Sequence, residues 1–128
     1  MRFIFLLTAV LFGVAVLSPN AVSAKAASIS VLHIPGITVL NQQRVIYRCA
    51  GDVRLPVRYI NTSAGALAYL PAGDKKRLFV SVQAASGVKY VAGSYVWWSK
   101  GDTGFLVDVA QDEGGEPILQ DCRQVERW

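Results

Sequence analysis

From Gln43 to the end, apolar residues recur at every second position, and turn-forming residues interrupt them at short intervals. Val53, Leu55, Val57 and Tyr59 alternate with Arg54, Pro56, Arg58 and Ile60, the pattern of a strand with one wet face. Leu78, Val80 and Val82 form a second such set against Phe79, Ser81 and Gln83. Ala50-Gly51-Asp52, Asn61 to Gly65, Pro71 to Asp74, Ser86-Gly87, Ala92-Gly93, Lys100-Gly101-Asp102 and Glu113-Gly114-Gly115 supply the turns. Eight short strands fit between them, near 43–49, 52–61, 66–70, 76–83, 88–91, 94–100, 103–110 and 118–123. No stretch after the N-terminal region offers a good amphipathic helix. The expected fold is all-β, a flattened eight-stranded antiparallel barrel with Tyr47, Tyr59, Trp97 and Phe105 as interior fillers. A β-sandwich is the second reading, since spacing alone does not separate the two.

The N-terminus reads differently. Met1-Arg2 precedes an uncharged run from Phe3 to Leu17, then Pro19 and the small residues of Val22-Ser23-Ala24. Residues 1–24 are expected to be a cleavable export signal, 25–42 a weakly patterned lead-in, and 43–128 the folded domain. Export into an oxidising compartment predicts a Cys49–Cys122 disulfide from the two cysteines present. No cysteine follows the apolar run, so lipid attachment there is not expected. The expected location is the periplasm, with no membrane anchor once the signal is removed.

Charge and residue types narrow the function. The chain has 13 Lys+Arg against 9 Asp+Glu, and Arg2 leaves with the signal. This excess is too mild to imply a nucleic-acid partner. One His, His33, and two cysteines give no metal site, and no cofactor motif is present. Ser86 to Lys89 matches a Ser-x-x-Lys motif, but it lies on a glycine turn without the partner motifs, so chance explains it. No nucleophile–base or acid–base pair assembles, and an enzyme is not expected. Asp108, Asp112, Glu113, Glu116 and Asp121 make the C-terminal third acidic, the ordinary mark of a solvated face. Arg44, Arg48, Arg54 and Arg58 fall on the outer faces of two adjacent strands, where they solvate the barrel. Of Trp97 and Trp98, which point to opposite sides of one strand, one belongs to the core and the other is partly exposed.

Turn parity adds geometry. In a meander, alternate turns share a rim, so the Ser86-Gly87 and Lys100-Gly101 turns lie at one end of the barrel. Two strand spacings place them roughly 10 Å apart. A hydroxyl and an ammonium then project from neighbouring loops of a rigid scaffold.

Ser86-Gly87-Val88-Lys89-Tyr90 followed by Trp97-Trp98-Ser99-Lys100-Gly101 resembles a signature of the bacterial inhibitors of c-type lysozyme. Tyr47 to Gly51, Val57 to Asn61 and the late Cys122 resemble that family too, so the likeness spans about 43–123. The resemblance implies an eight-stranded barrel whose Ser86 and Lys100 loops enter the cleft of a host c-type lysozyme, its partner. Such an enzyme works with one protonated and one ionised carboxyl group. The Lys100 ammonium suits the ionised one, and the Ser86 hydroxyl, donor and acceptor at once, suits the other. Gly87 and Gly101 would let the loop backbone enter, Tyr90 and Trp97 would support the loops from beneath, and Trp98 is placed to cover part of the sugar groove. The resemblance further implies a basic target, so a basic inhibitor gains no long-range attraction. The competing readings are a cell-wall glycan-binding module using Trp97 or Trp98, and a structural envelope barrel.

Overall fold

A computed structural model describes residues 31–111 and 116–128, and the expected export signal and the 112–115 part of the acidic segment lie outside the described residues. The eight strands are β1 (Val39–Cys49), β2 (Val53–Thr62), β3 (Gly65–Ala72), β4 (Lys75–Val82), β5 (Val88–Ala92), β6 (Tyr95–Lys100), β7 (Thr103–Asp108) and β8 (Leu119–Arg127). Each pairs antiparallel with the next, and β8 returns to β1, closing the barrel in sequence order. A 3-10 turn, Ala50–Asp52, joins β1 to β2. Closure leaves no open sheet edge, which is the main liability of a small all-β domain.

Strands β1, β3 and β8 are several residues longer than their patterns indicate, β3 at both ends. Strand β1 begins at Val39, inside the lead-in, because Val39 and Asn41 pair with Thr62 and Asn61 of β2. Strand β8 runs on to Arg127, since Val45 and Ile46 of β1 pair with Arg127 and Glu126. Cys49 and Cys122 form the disulfide across this closing β1–β8 seam, 73 residues apart in sequence. A loop of that length corresponds to roughly 4 kcal/mol in the chain-entropy model.

The interior is filled by one side of each strand. Val45, Tyr47, Leu55, Val57, Leu70, Phe79, Trp97 and Leu106 are buried, with Ala68 and Ala72 where the wall comes close. Trp97 is fully buried and Trp98 is not, which divides the Trp pair as alternation requires. The phase of β4 is the reverse of the apparent one. Phe79 points inward, and Leu78, Val80 and Val82 are 50%, 54% and 44% exposed. Phe105 is also not an interior filler. It pairs with Trp98 on the outer face, ring centroids 5.6 Å apart, while Leu106 takes the core position opposite Trp97. On β7 the run Phe105-Leu106-Val107 is apolar on both sides, so alternation carries no phase there.

Buried hydroxyls are satisfied in a chain. Trp97 Nε1 donates to Tyr59 Oη at 2.9 Å, and Tyr59 and Tyr47 share a 3.0 Å hydroxyl contact. The Tyr47 ring meets Trp97 edge-on at 5.1 Å, and Tyr59 lies 5.6 Å from Tyr90. Burial raises all three phenols above their ordinary value of 10.0, with Tyr90 pushed up to about 12. A phenol held protonated in the fold adds stability that is level below pH 10 and lost as pH rises toward 12. Thermal melting scanned across pH is therefore expected to show a flat Tm up to about pH 10 and a steep fall beyond it. An unchanged Tm at about pH 12 would contradict the buried network.

Candidate functional site

The site grows out of the β5–β6 pairing. A two-residue turn at Gly93 and Ser94 fixes the register Ala92↔Tyr95, Tyr90↔Trp97, Lys89↔Trp98 and Val88↔Ser99. Continuing it by one position sets Gly87 against Lys100. The two loops therefore lie one strand spacing apart, about 4.8 Å, closer than the two spacings counted from turn to turn. The reason is that Ser86 and Gly87 occupy the β5 end of their loop, and Lys100 is the last residue of β6.

Contact between the loops is direct. Trp98 Nε1 donates to the Ser86 carbonyl oxygen at 2.9 Å. Gly87 lies so close to β6 that a Cβ there would overlap the Ser99 carbonyl oxygen and come within 3.1 Å of Trp98 Nε1 and 3.2 Å of Lys100 Cβ. Its φ of +66° is one that a side chain also disfavours. Gly87→Ala is expected to cost about 1–2 kcal/mol from backbone conformation alone. Overlap with Ser99 would then push the Ser86 loop off Trp98. A Tm lowered by several degrees, with a shift in tryptophan fluorescence, would show both effects.

Ser86 and Lys100 are both exposed, and neither side chain forms an ion pair or hydrogen bond among the described residues. The backbone beneath Lys100 is pinned, because Thr103 Oγ1 donates to its carbonyl oxygen at 2.9 Å and Gly101 turns the chain at φ +59°. Below the two loops, on the outer wall of β6, β7 and β8, runs a groove of about 700 Å3. Ser86, Lys100, Trp98, Phe105, Asp121 and Arg123 are among its lining residues. Of the acidic C-terminal residues, Asp121 reaches this groove, whereas Asp108 pairs with Tyr95 at the far end of β6.

Tyr90 and Trp97 face the interior, where Trp97 is bonded to Tyr59 and Tyr90 lines a small hollow with Ser99 and Gly101 at the Lys100 turn. Trp98 is the residue that holds the Ser86 loop. Its ring has Phe105 on one neighbouring strand and the Lys89 ammonium 4.4 Å from its centroid on the other. This leaves neither tryptophan as an open sugar platform, because Trp97 is enclosed and Trp98 is partnered. The register fixed by the Gly93-Ser94 turn sets Trp98 opposite Lys89, and its reach to Ser86 depends on where the indole points, which alternation does not supply. Among the described residues no group of three or more His, Cys, Asp or Glu side chains could hold a metal ion.

Comparison with known proteins places this architecture. The family model described as membrane-bound lysozyme-inhibitor of c-type lysozyme matches residues 47–114. The membrane-bound lysozyme inhibitor of C-type lysozyme from Cupriavidus necator is 36% identical over 110 residues, covering 86% of this chain and 88% of that relative. The protein of the same description from Pseudomonas aeruginosa is 38% identical over 92 residues, 71% of each chain. Among solved structures, the Pseudomonas aeruginosa inhibitor in complex with hen egg white lysozyme superposes with a TM-score of 0.62 at 31% identity, over 79% of this chain and all of that one. The periplasmic inhibitor from Salmonella typhimurium gives a TM-score of 0.57 at 27% identity, over 67% of this chain and all of that one.

These relatives correct one expectation. The signal-like N-terminus and the missing lipidation cysteine predict a soluble, unanchored periplasmic protein, yet the family model and the sequence relatives are described as membrane-bound. The absence of one attachment residue is no positive signal for release, and it is outweighed by relatives that match most of the chain. The closed barrel, the disulfide seam and a family match across most of its strands converge: the chain belongs to the family of membrane-bound lysozyme inhibitors of c-type lysozyme.

Proposed function

We propose that this protein inhibits a c-type lysozyme by seating the Ser86 and Lys100 loops in the enzyme's catalytic cleft, with the groove beneath them receiving the cleft's edge. The observation that carries this reading is the contact between the two loops. One exposed ammonium and one exposed hydroxyl stand side by side on backbone fixed by Trp98 and Thr103. Such preorganisation lowers the ordering cost of binding. The cleft offers one ionised and one protonated carboxyl group, and these two side chains complement that pair. No bond is made or broken, so inhibition is by occlusion. The relative solved with hen egg white lysozyme has the same fold, which supports an enzyme–inhibitor complex as the working form.

Asp121, which lines the groove with Lys100 and Arg123, is the one carboxylate there among the described residues to meet a cation of a basic target. The test is a titration of the oxidised protein against a c-type lysozyme clearing a bacterial cell-wall suspension. Inhibition is expected to saturate near one-to-one. Ser86→Ala is expected to weaken it by roughly 1 kcal/mol, about fivefold, the scale of one ordinary hydrogen bond. A folded, disulfide-bonded sample without inhibitory activity at micromolar excess would overturn the proposal.

A further inference from the structure

On the opposite side of the barrel, Arg44 and Arg58 stand directly across from each other on β1 and β2. Like charges in that position repel. The neighbouring pair Arg48 and Arg54 is balanced, by Asp52 at 3.2 Å and Glu126 at 2.9 Å. Among the described residues no carboxylate pairs with Arg44 or Arg58, and Lys76 joins them around a hollow of about 230 Å3 edged by Tyr69 and Trp128. The row Arg44–Arg58–Tyr69–Leu78 crosses four strands on the outer face. Beside it, Leu78 and Val80 are half-exposed, Tyr69 is 39% exposed and Trp128 59%. An apolar strip bordered by uncompensated cations and aromatic rings suits the boundary between headgroups and acyl chains.

We propose that the outer face of β1–β4 docks on an anionic phospholipid surface. Round an eight-stranded ring β3 lies opposite β7, the centre of the groove wall, so a docked barrel turns the Ser86–Lys100 rim groove toward solvent. Only this last point rests on the proposed function. Three cations near an anionic surface, at about 1 kcal/mol each, correspond to roughly a hundredfold in partitioning. The test is sedimentation of the full chain with vesicles of phosphatidylcholine alone and of phosphatidylcholine with phosphatidylglycerol, at low salt. The N-terminal segment, which carries Arg2, is identical in wild type and variants, so the change of the ratio of the two partition coefficients on charge reversal reads the barrel face.

That ratio is expected to reach tens-fold or more for the wild type and to fall near one for Arg44→Glu/Arg58→Glu. If this double variant does not melt cooperatively, Lys76→Glu with Leu78→Ser, both at exposed positions, reads the same ratio. A wild-type ratio near one, or a ratio that survives charge reversal in a folded variant, overturns the proposal. Lysozyme inhibition is recorded on the same samples and is expected to stay at the wild-type level, so failure of the docking face and failure of the loop site are separately visible.

Discussion

Lys100→Ala is expected to weaken inhibition of a c-type lysozyme by about 2–5 kcal/mol, roughly thirtyfold to a few thousandfold in the inhibition constant. The size follows from what the substitution leaves behind. In the proposed complex the ammonium faces an ionised carboxylate in a cleft from which water has been driven out. Truncation strands that carboxylate without a partner, and its unpaired burial accounts for much of the loss. In the free protein Lys100 is exposed, with no ion pair among the described residues, so the same change is expected to alter folding stability by less than about 0.5 kcal/mol. A large loss of inhibition at constant Tm is thus the signature. Lys100→Met separates charge from bulk, because it keeps most of the aliphatic stem. It is expected to be nearly as damaging as alanine. Wild-type inhibition constants for both variants would remove Lys100 from the cleft.

Much of the scaffold is legible in the sequence because barrels are punctuated. The strand count, the antiparallel order and the common rim of two loops follow from turn residues and period-two alternation, the disulfide pair from two cysteines in an exported chain, and the structure has the strands, their order and the disulfide. Phase is harder. Strand β4 carries apolar residues on both sides, and the larger Phe79 takes the interior although three aliphatic residues stand against it. Packing volume decided that contest, not the number of apolar positions. Phe105 goes the other way, since the smaller Leu106 beside it is equally apolar and stands opposite Trp97, leaving Phe105 to pack on Trp98 outside. The spacing between Ser86 and Lys100 was misjudged by counting turns. Residue position within each turn matters, and the β5–β6 register brings Gly87 opposite Lys100. Support of the Ser86 loop by Trp98 needed an explicit side-chain partner, which alternation does not provide. Location is the least legible, because an export signal does not say whether the exported chain is held at a membrane and a missing cysteine is no positive evidence of release.

Trp97→Ala is expected to destabilise the fold by about 3–5 kcal/mol, the largest effect of any single truncation in this barrel. Trp97 is fully enclosed and touches three different parts of the wall. Its ring meets Tyr47 of β1 edge-on, its Nε1 donates to the Tyr59 hydroxyl of β2, and its six-membered edge fills the space that Gly104 of β7 leaves open. A Cβ on Gly104 would come within 2.6 Å of Trp97 Cζ2, so the glycine and the indole are matched in shape. Alanine removes the ring, opens a cavity in a core too small to collapse around it, and takes away the Tyr59 donor. For a domain of this size, 3 kcal/mol corresponds to a Tm lower by roughly 12–24 °C. Trp97→Phe keeps most of the volume and loses the N–H, so it is expected to fall between the two. Because the loops are held by Trp98 and Thr103 instead, Trp97→Phe is also expected to inhibit as the wild type does at temperatures where it remains folded. Strong loss of inhibition by a well-folded Trp97→Phe protein would mean that the interior ring sets the loop geometry after all.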